Sequence, residues 1–311
     1  MNNYIYSISS VSNQESFENP GFSKTIVPFS QQKELIQPNY KEFIPAIKLR
    51  RMPKLSRMAI AATLSALKLA ELENVGAIIA ASGLGSLDDT ERFLQKYIPA
   101  GESLVPPVSF IQSGHNTVSG QIALFLNNNS YNMTHVQQNV SFEHALIDSL
   151  MFIDENETEV LLGGMDENIP LLKELATLFD LDNSTKENLS EGCTFMIVGR
   201  DKEKAIAQVI DVEVNVSPLS VNEKVIRFLK KNKLQISDID QVLIGSGLNF
   251  NYQDRPSVNT VLYTDYCGQY LTSSAFGCHL AVDMIANADR KKVLCINGMG
   301  DNLGLTLFSN V

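Results

Sequence analysis

The chain has 311 residues, 44% of them hydrophobic and 19% charged, and its 25 Lys+Arg against 35 Asp+Glu give a formal net charge of −10. This is the composition of a folded protein with ample chain to bury a core, which excludes a disordered or fibrous one. The acidic balance argues against nucleic acid or an anionic membrane as partner, because both need clustered Lys and Arg, and no run approaches the ~18 apolar residues of a membrane span.

The opening, MNNYIYSISSVSNQESF, lacks the basic and apolar regions of a secretory signal, so a cytoplasmic location is expected. The first strand is predicted over 4–9. Residues 13–50 are polar and broken by prolines, as in a long surface loop. An Ala/Leu-rich segment over 55–72 has helical spacing. A strand follows over 75–82, then a glycine turn, then a helix over 88–96 that opens with Asp88-Asp89, acids suited to a helix N-terminus. Further helices are predicted over 117–126, 142–153, 171–179, 222–231 and 273–286. Further strands are predicted over 160–165, 194–198, 205–216, 242–245, 293–296 and 303–308. Residues 180–191, DLDNSTKENLSE, read as a polar loop. Many strand runs are continuously apolar, as for strands covered on both faces. Alternating strand and helix signals specify an α/β fold with a mixed or parallel sheet. The segments 160–200 and 292–311 share a plan of strand, Gly-containing end, loop and strand. That suggests two related halves, 1–200 and 201–311, integrated into one domain.

Few residues suggest chemistry by spacing alone. The cysteines at 193, 267, 278 and 295 form no CxxC pair, and with the histidines at 115, 135, 144 and 279 they show no zinc-ligand spacing. Reduced thiols and no metal are therefore expected. Ala81-Ser-Gly-Leu-Gly-Ser86 resembles a phosphate-binding turn but lacks the third glycine of one motif and the Lys-Ser/Thr of the other, so it reads as a tight strand–helix turn. Gly163-Gly-Met-Asp-Glu167 has the same two readings. Gly245-Ser-Gly247 is not a nucleophile elbow of the G-x-S-x-G kind. The strongest local feature is the polar stretch from Asn132 to Ser141 running into an apolar, central helix. Its N-terminus places unpaired N–H groups and a positive dipole end at 139–142, a setting that stabilises an anion or an activated nucleophile.

These residues, in this order and spacing, resemble the β-ketoacyl-acyl-carrier-protein synthases of the thiolase superfamily over nearly the whole chain. Tyr4-Ile-Tyr-Ser-Ile-Ser-Ser-Val-Ser12 is similar to the first strand of that family. Val75 to Gly85 is similar to its second strand and glycine turn, and Asn116 to Ala123 to the helix before the active site. Asn132-Met-Thr134 resembles the strand leading to the nucleophile, and Gly163 to Glu167 its following strand end. Ser190 to Val198 resembles its hairpin strand. Gly268 to Ala275 resembles its last histidine helix, and Asn297-Gly-Met-Gly300 its final glycine-rich turn. The resemblance implies a thiolase-like fold, two α/β halves packed as an α-β-α-β-α sandwich.

It also implies where chemistry should sit, and there the sequence departs. Active members use a Cys–His–His set. The nucleophile position falls on Asn139, the two histidine positions on Gly245 and Gln269, and the accompanying lysine on Thr264. Val140, Phe142, Met299 and Gly300 are the candidates for the acyl pocket and oxyanion site. A carboxamide is no acyl acceptor, and loss of a nucleophile from such a unit can cost on the order of 10⁶ in rate. The subgroup with this pattern is the chain-length factors, which lack the cysteine, often carry Gln in its place, and pair with a true ketosynthase to shape the acyl tunnel. The expected function is therefore a non-catalytic, chain-length-factor-like subunit of fatty-acid, polyketide or polyene biosynthesis, without cofactor, in a heterodimer with an active synthase. Residues near 104–126 and 131–142 would face that partner. At −10 the chain suits an acidic acyl carrier protein poorly, so the carrier would be met through the partner. The alternatives are an active or decarboxylase-only synthase with an altered site, and a homodimeric scaffold or acyl binder.

Overall fold

The computed structural model describes residues 2–100, 106–245, 248, 250 and 259–311. Among the described residues ten strands form: β1 Asn3–Val11, β2 Ala77–Ala81, β3 Tyr131–His135, β4 Val160–Asp166, β5 Gly192–Gly199, β6 Ala207–Asn215, β7 Gln241–Ile244, β8 Asn259–Leu262, β9 Lys292–Met299 and β10 Asn302–Ser309. The helices are α1 Ala46–Leu49, α2 Lys54–Leu69, α3 Leu87–Ala100, α4 Pro107–Gln112, α5 Thr117–Leu126, α6 Ser141–Asn156, α7 Pro170–Leu178, α8 Asn183–Asn188, α9 Val221–Lys231, α10 Thr264–Cys267 and α11 Ser273–Asn287.

The strand order is β3-β2-β4-β5-β1-β6-β10-β9-β7-β8. Within it the same five-strand plan occurs twice. β2 pairs in parallel with β3 and β4, and β5 runs antiparallel between β4 and β1. Likewise β7 pairs in parallel with β8 and β9, and β10 runs antiparallel between β9 and β6. The two series meet only where Asn3–Ile5 pairs with Val209–Ala207. Such a short seam lets them fold over one another. α6 packs on β2, β4, β6 and β10, and α11 on β4, β5, β7 and β9, so both helices lie between the two series. α2 and α5 cover the outside of one series, and α9 packs on β10 outside the other. The result is the α-β-α-β-α sandwich of a thiolase-like fold.

This layering explains the continuous apolar runs. Successive strand residues point to opposite faces, and here both faces are dry. Along β5, Met196 and Val198 enter the central core with α6 and α11, whereas Cys193, Phe195 and Ile197 enter the α2 core. Along β9, Val293 and Cys295 face the centre, whereas Leu294 and Ile296 pack beneath α9. Gly164 of β4 allows the central helices to approach: a Cβ there would lie 2.8 Å from that of Ala275 and 3.1 Å from the Phe142 ring.

One expectation is corrected, and two elements appear that the sequence did not announce. Residues 180–191 are not all loop, since α8 forms there, with the Asp182 carboxylate accepting from Thr185 N at 2.9 Å. All six residues of α8 are polar, so apolar periodicity could not reveal it. β8 is a short exposed edge strand with no run of apolar residues to mark it. α4 also went unforeseen; it opens with Pro107, whose fixed φ suits the first helical turn.

Candidate functional site

A cavity of about 480 Å³ opens beyond the C-terminal ends of β4, β7 and β9, where open α/β sheets place their ligands. Asn139, Gly245, Tyr263, Thr264, Gln269, Asn297 and Met299 border it, and Leu172, Leu181 and Leu189 give it an apolar side. Three separate segments thus bring Asn139, Gly245 and Gln269 to one space. Thr264 and Met299 join them. Val140, Phe142 and Gly300 are not part of that lining. Phe142 lies in the central core, because the first turn of α6 is itself buried. Ser246 and Gly247 lie outside the described residues, as do 104 and 105 of the partner-facing stretch.

The approach to α6 is a sharp elbow. β3 ends at His135, and Gln138 takes a left-handed backbone with φ of 54°, which is uncommon for a residue with a Cβ. Its side chain is exposed, whereas the next residue, Asn139, is 4% exposed. Among the described residues, both polar atoms of the Asn139 carboxamide are buried without a hydrogen-bond partner, as is Thr264 Oγ1. Asn297 ties the elbow down. Its Nδ2 donates to the Asn139 carbonyl at 2.6 Å and to Glu143 Oε1 at 3.0 Å, and its Oδ1 accepts from the Tyr263 hydroxyl at 3.4 Å.

Three buried acids surround this end of the molecule. Asp166 accepts five hydrogen bonds, from Ser82 Oγ, Gly83 N, Leu84 N, Thr272 N and Thr272 Oγ1. It therefore staples the β2–α3 turn to the head of α11. The same bonds settle the role of Ser82-Gly-Leu: two of its N–H groups are already taken by a carboxylate and are not free to hold a phosphate. Glu143 Oε2 has no hydrogen-bond partner among the described residues, and burial pushes the Glu143 carboxyl up to about 7 against the pull of Asn297 and Ser274. Burial likewise raises Glu167 to about 7, opposed by the Asp88 N–H and reinforced by the Asp88 charge. Sequence reading missed Glu143, although an acid in the first turn of a helix with a largely apolar face was a visible signal. Tyr263 carried no signal at all.

All four cysteines and all four histidines lie among the described residues, and none of them borders the cavity. The cysteines are free and buried. Cys267 sits closest in sequence to Gln269, but burial pushes its thiol far up. His135 Nε2 pairs with Asp148 at 2.9 Å on the far side of the elbow. Among the described residues no group of three or more His, Cys, Asp or Glu could hold a metal ion, and no helix is long and apolar enough to cross a membrane.

Residues 27–175 match the family model for the N-terminal domain of beta-ketoacyl synthases. The chain is β-ketoacyl-synthase-like. Solved structures of similar fold include the ishigamide ketosynthase/chain length factor, at 13% identity over 100% of both chains with a TM-score of 0.74. A beta-ketoacyl synthase from Burkholderia phymatum STM815 is 14% identical over 100% of this chain and 99% of its own, with a TM-score of 0.73. AntDE:AntF, a type II PKS acyl-carrier protein in complex with its ketosynthase bound to the hexaketide, is 14% identical over 100% and 99% with a TM-score of 0.74. No curated protein matches the chain. At these identities the structural likeness shows the fold, and the β-ketoacyl-synthase-like frame is what the cavity above is built into.

Proposed function

We propose that this chain is a non-catalytic, chain-length-factor-like subunit that pairs with an active β-ketoacyl synthase and shapes its acyl tunnel. One observation carries the reading. The cavity at the heads of the central helices is open, yet Asn139, Gly245 and Gln269 stand in it where the resemblance calls for a thiol and two imidazoles. The elbow offers a carboxamide at either of its two residues, Gln138 or Asn139, so the conclusion is the same whichever is the nucleophile position. A carboxamide cannot accept the acyl group from a thioester. The left-handed residue is Gln138, and Gln is what the resemblance associates with chain-length factors.

The surface supports a partner. β3 is an edge strand with Tyr131 and Met133 exposed, and Phe110, Ile111 and Leu124 of α4 and α5 stand in water at 65%, 66% and 80% exposure. Unpaired edges and clustered exposed apolar groups are normally covered. The ishigamide assembly named above is itself a ketosynthase with its chain length factor.

The test is coexpression with a candidate ketosynthase, followed by mass measurement and assay. A one-to-one complex is expected, with condensation that needs the partner's cysteine. A chain that stays a monomer beside every such partner overturns the pairing. Conversion of malonyl-carrier to acetyl-carrier protein by the purified chain alone overturns the non-catalytic reading in favour of a decarboxylase.

A further inference from the structure

A second cavity, of about 250 Å³, lies away from the first, between β1, the 16–20 loop and the C-terminal half of α11. Ile8, Leu69, Ile206 and Val282 give it apolar walls, and His279 and Asp283 stand one helical turn apart on its α11 side. His279 is 5% exposed. Its Nδ1 is held at 2.7 Å by Ser10 Oγ, which also contacts Thr194 Oγ1, and its ring leans on Phe22 at 4.7 Å. Among the described residues Nε2 has no hydrogen-bond partner, and the ring borders the cavity.

Asp283 is 4% exposed and has no cationic partner among the described residues. Gly21 N at 2.6 Å and Asn287 Nδ2 at 2.9 Å satisfy Oδ1, and Ser23 N at 2.9 Å reaches Oδ2. All three donors are neutral, so the carboxylate is hydrogen-bonded but has no ion-pair partner among the described residues. His279 is not one, because burial pushes its imidazole down to about 4, leaving it neutral near pH 7. At the rim a second carboxylate, Glu18, is partnered by the largely exposed Lys68 at 3.1 Å. The local balance of these groups is therefore negative around an apolar chamber.

We propose that this cavity binds a small organic ammonium ion, its charged head between Asp283 and the His279 ring and its alkyl body on Ile8, Leu69, Ile206 and Val282. The proposal is independent of the first cavity and of the partner subunit.

The probe is n-butylammonium chloride titrated into the full chain, with sodium butyrate of matched length as control. Saturable one-to-one binding, a rise in Tm and a shift of the His279 imidazole resonance are expected for the amine and none for butyrate. Asp283→Asn should weaken binding about tenfold or more. Because Asp283 also anchors residues 21 and 23, Ala286→Phe serves as the second variant. Ala286 is exposed at the rim, so the larger ring blocks the mouth and leaves the Asp283 bonds in place; binding should be lost with Tm of the free protein retained. Absence of saturable amine binding, equal binding of butyrate, or wild-type binding by a folded Ala286→Phe protein overturns the proposal.

Discussion

In the proposed reading the nucleophile position falls on Asn139 or Gln138, and neither carboxamide is a nucleophile. Replacing either with Cys should not restore condensation. A thiol alone could be acylated, but Gly245 and Gln269 leave decarboxylation without imidazole donors. Mass spectrometry of the variants with acyl-carrier and malonyl-carrier protein checks this, with no C–C-bonded product expected. Asp166 is the opposite case, a residue whose work is structural. Asp166→Ala strands five donors in a dry site and should cost about 3 kcal/mol or more in urea unfolding. Glu143 adds a pH dependence. Its carboxyl rises from the ordinary 4.5 to about 7 on folding, so the native state holds a proton that the unfolded chain has lost between those values. Its contribution to stability is fully present below pH 4.5 and is lost as pH rises through about 7. Glu143→Gln should flatten stability over that window and be more stable than wild type above it, with Glu167 leaving a residual slope of the same sign.

At the level of elements, α6 and α11 are confined between two sheets and cannot move outward to relieve crowding. Gly164→Val would place new atoms against Ala275 and Phe142 at once. A loss of ~1–3 kcal/mol is expected by thermal or urea unfolding, and Ala145→Leu on the fully buried face of α6 should behave alike. Most elements were legible beforehand because burial on both faces writes an apolar run into the strand. β1, β2, β4, β5, β9 and β10 are of that kind. β3, β8 and α8 were not legible from pattern, since none of their residues is buried and burial writes no apolar run into them.

On the scale of the whole molecule, the exposed β3 edge and the apolar groups of α4 and α5 are where an assembly would form. Met133→Lys, at a side chain 39% exposed, should leave the melting of the isolated chain unchanged within about 0.5 kcal/mol and abolish copurification with a ketosynthase partner. Net charge is a coarse measure at this scale. Beside the total of −10 stands a cleft where Arg50, Arg51, Lys54, Arg57 and Arg92 mix with Asp88 and Asp89, Arg92 being paired to Asp88 at 2.7 Å, so the local charge differs from the sum.

The residue order alone determined the alternation of strands and helices and the largely apolar central helices, because these are written in local pattern; that residues 139, 245 and 269 stand for a thiol and two imidazoles belongs to the proposed reading. Tertiary structure alone decided that Asn139, Gly245 and Gln269 share one cavity, that Asp166 occupies the glycine turn, and that His279 and Asp283 line a second chamber. Those facts depend on contacts between segments up to more than a hundred residues apart, and the distance across a folded sheet leaves no trace in spacing along the chain.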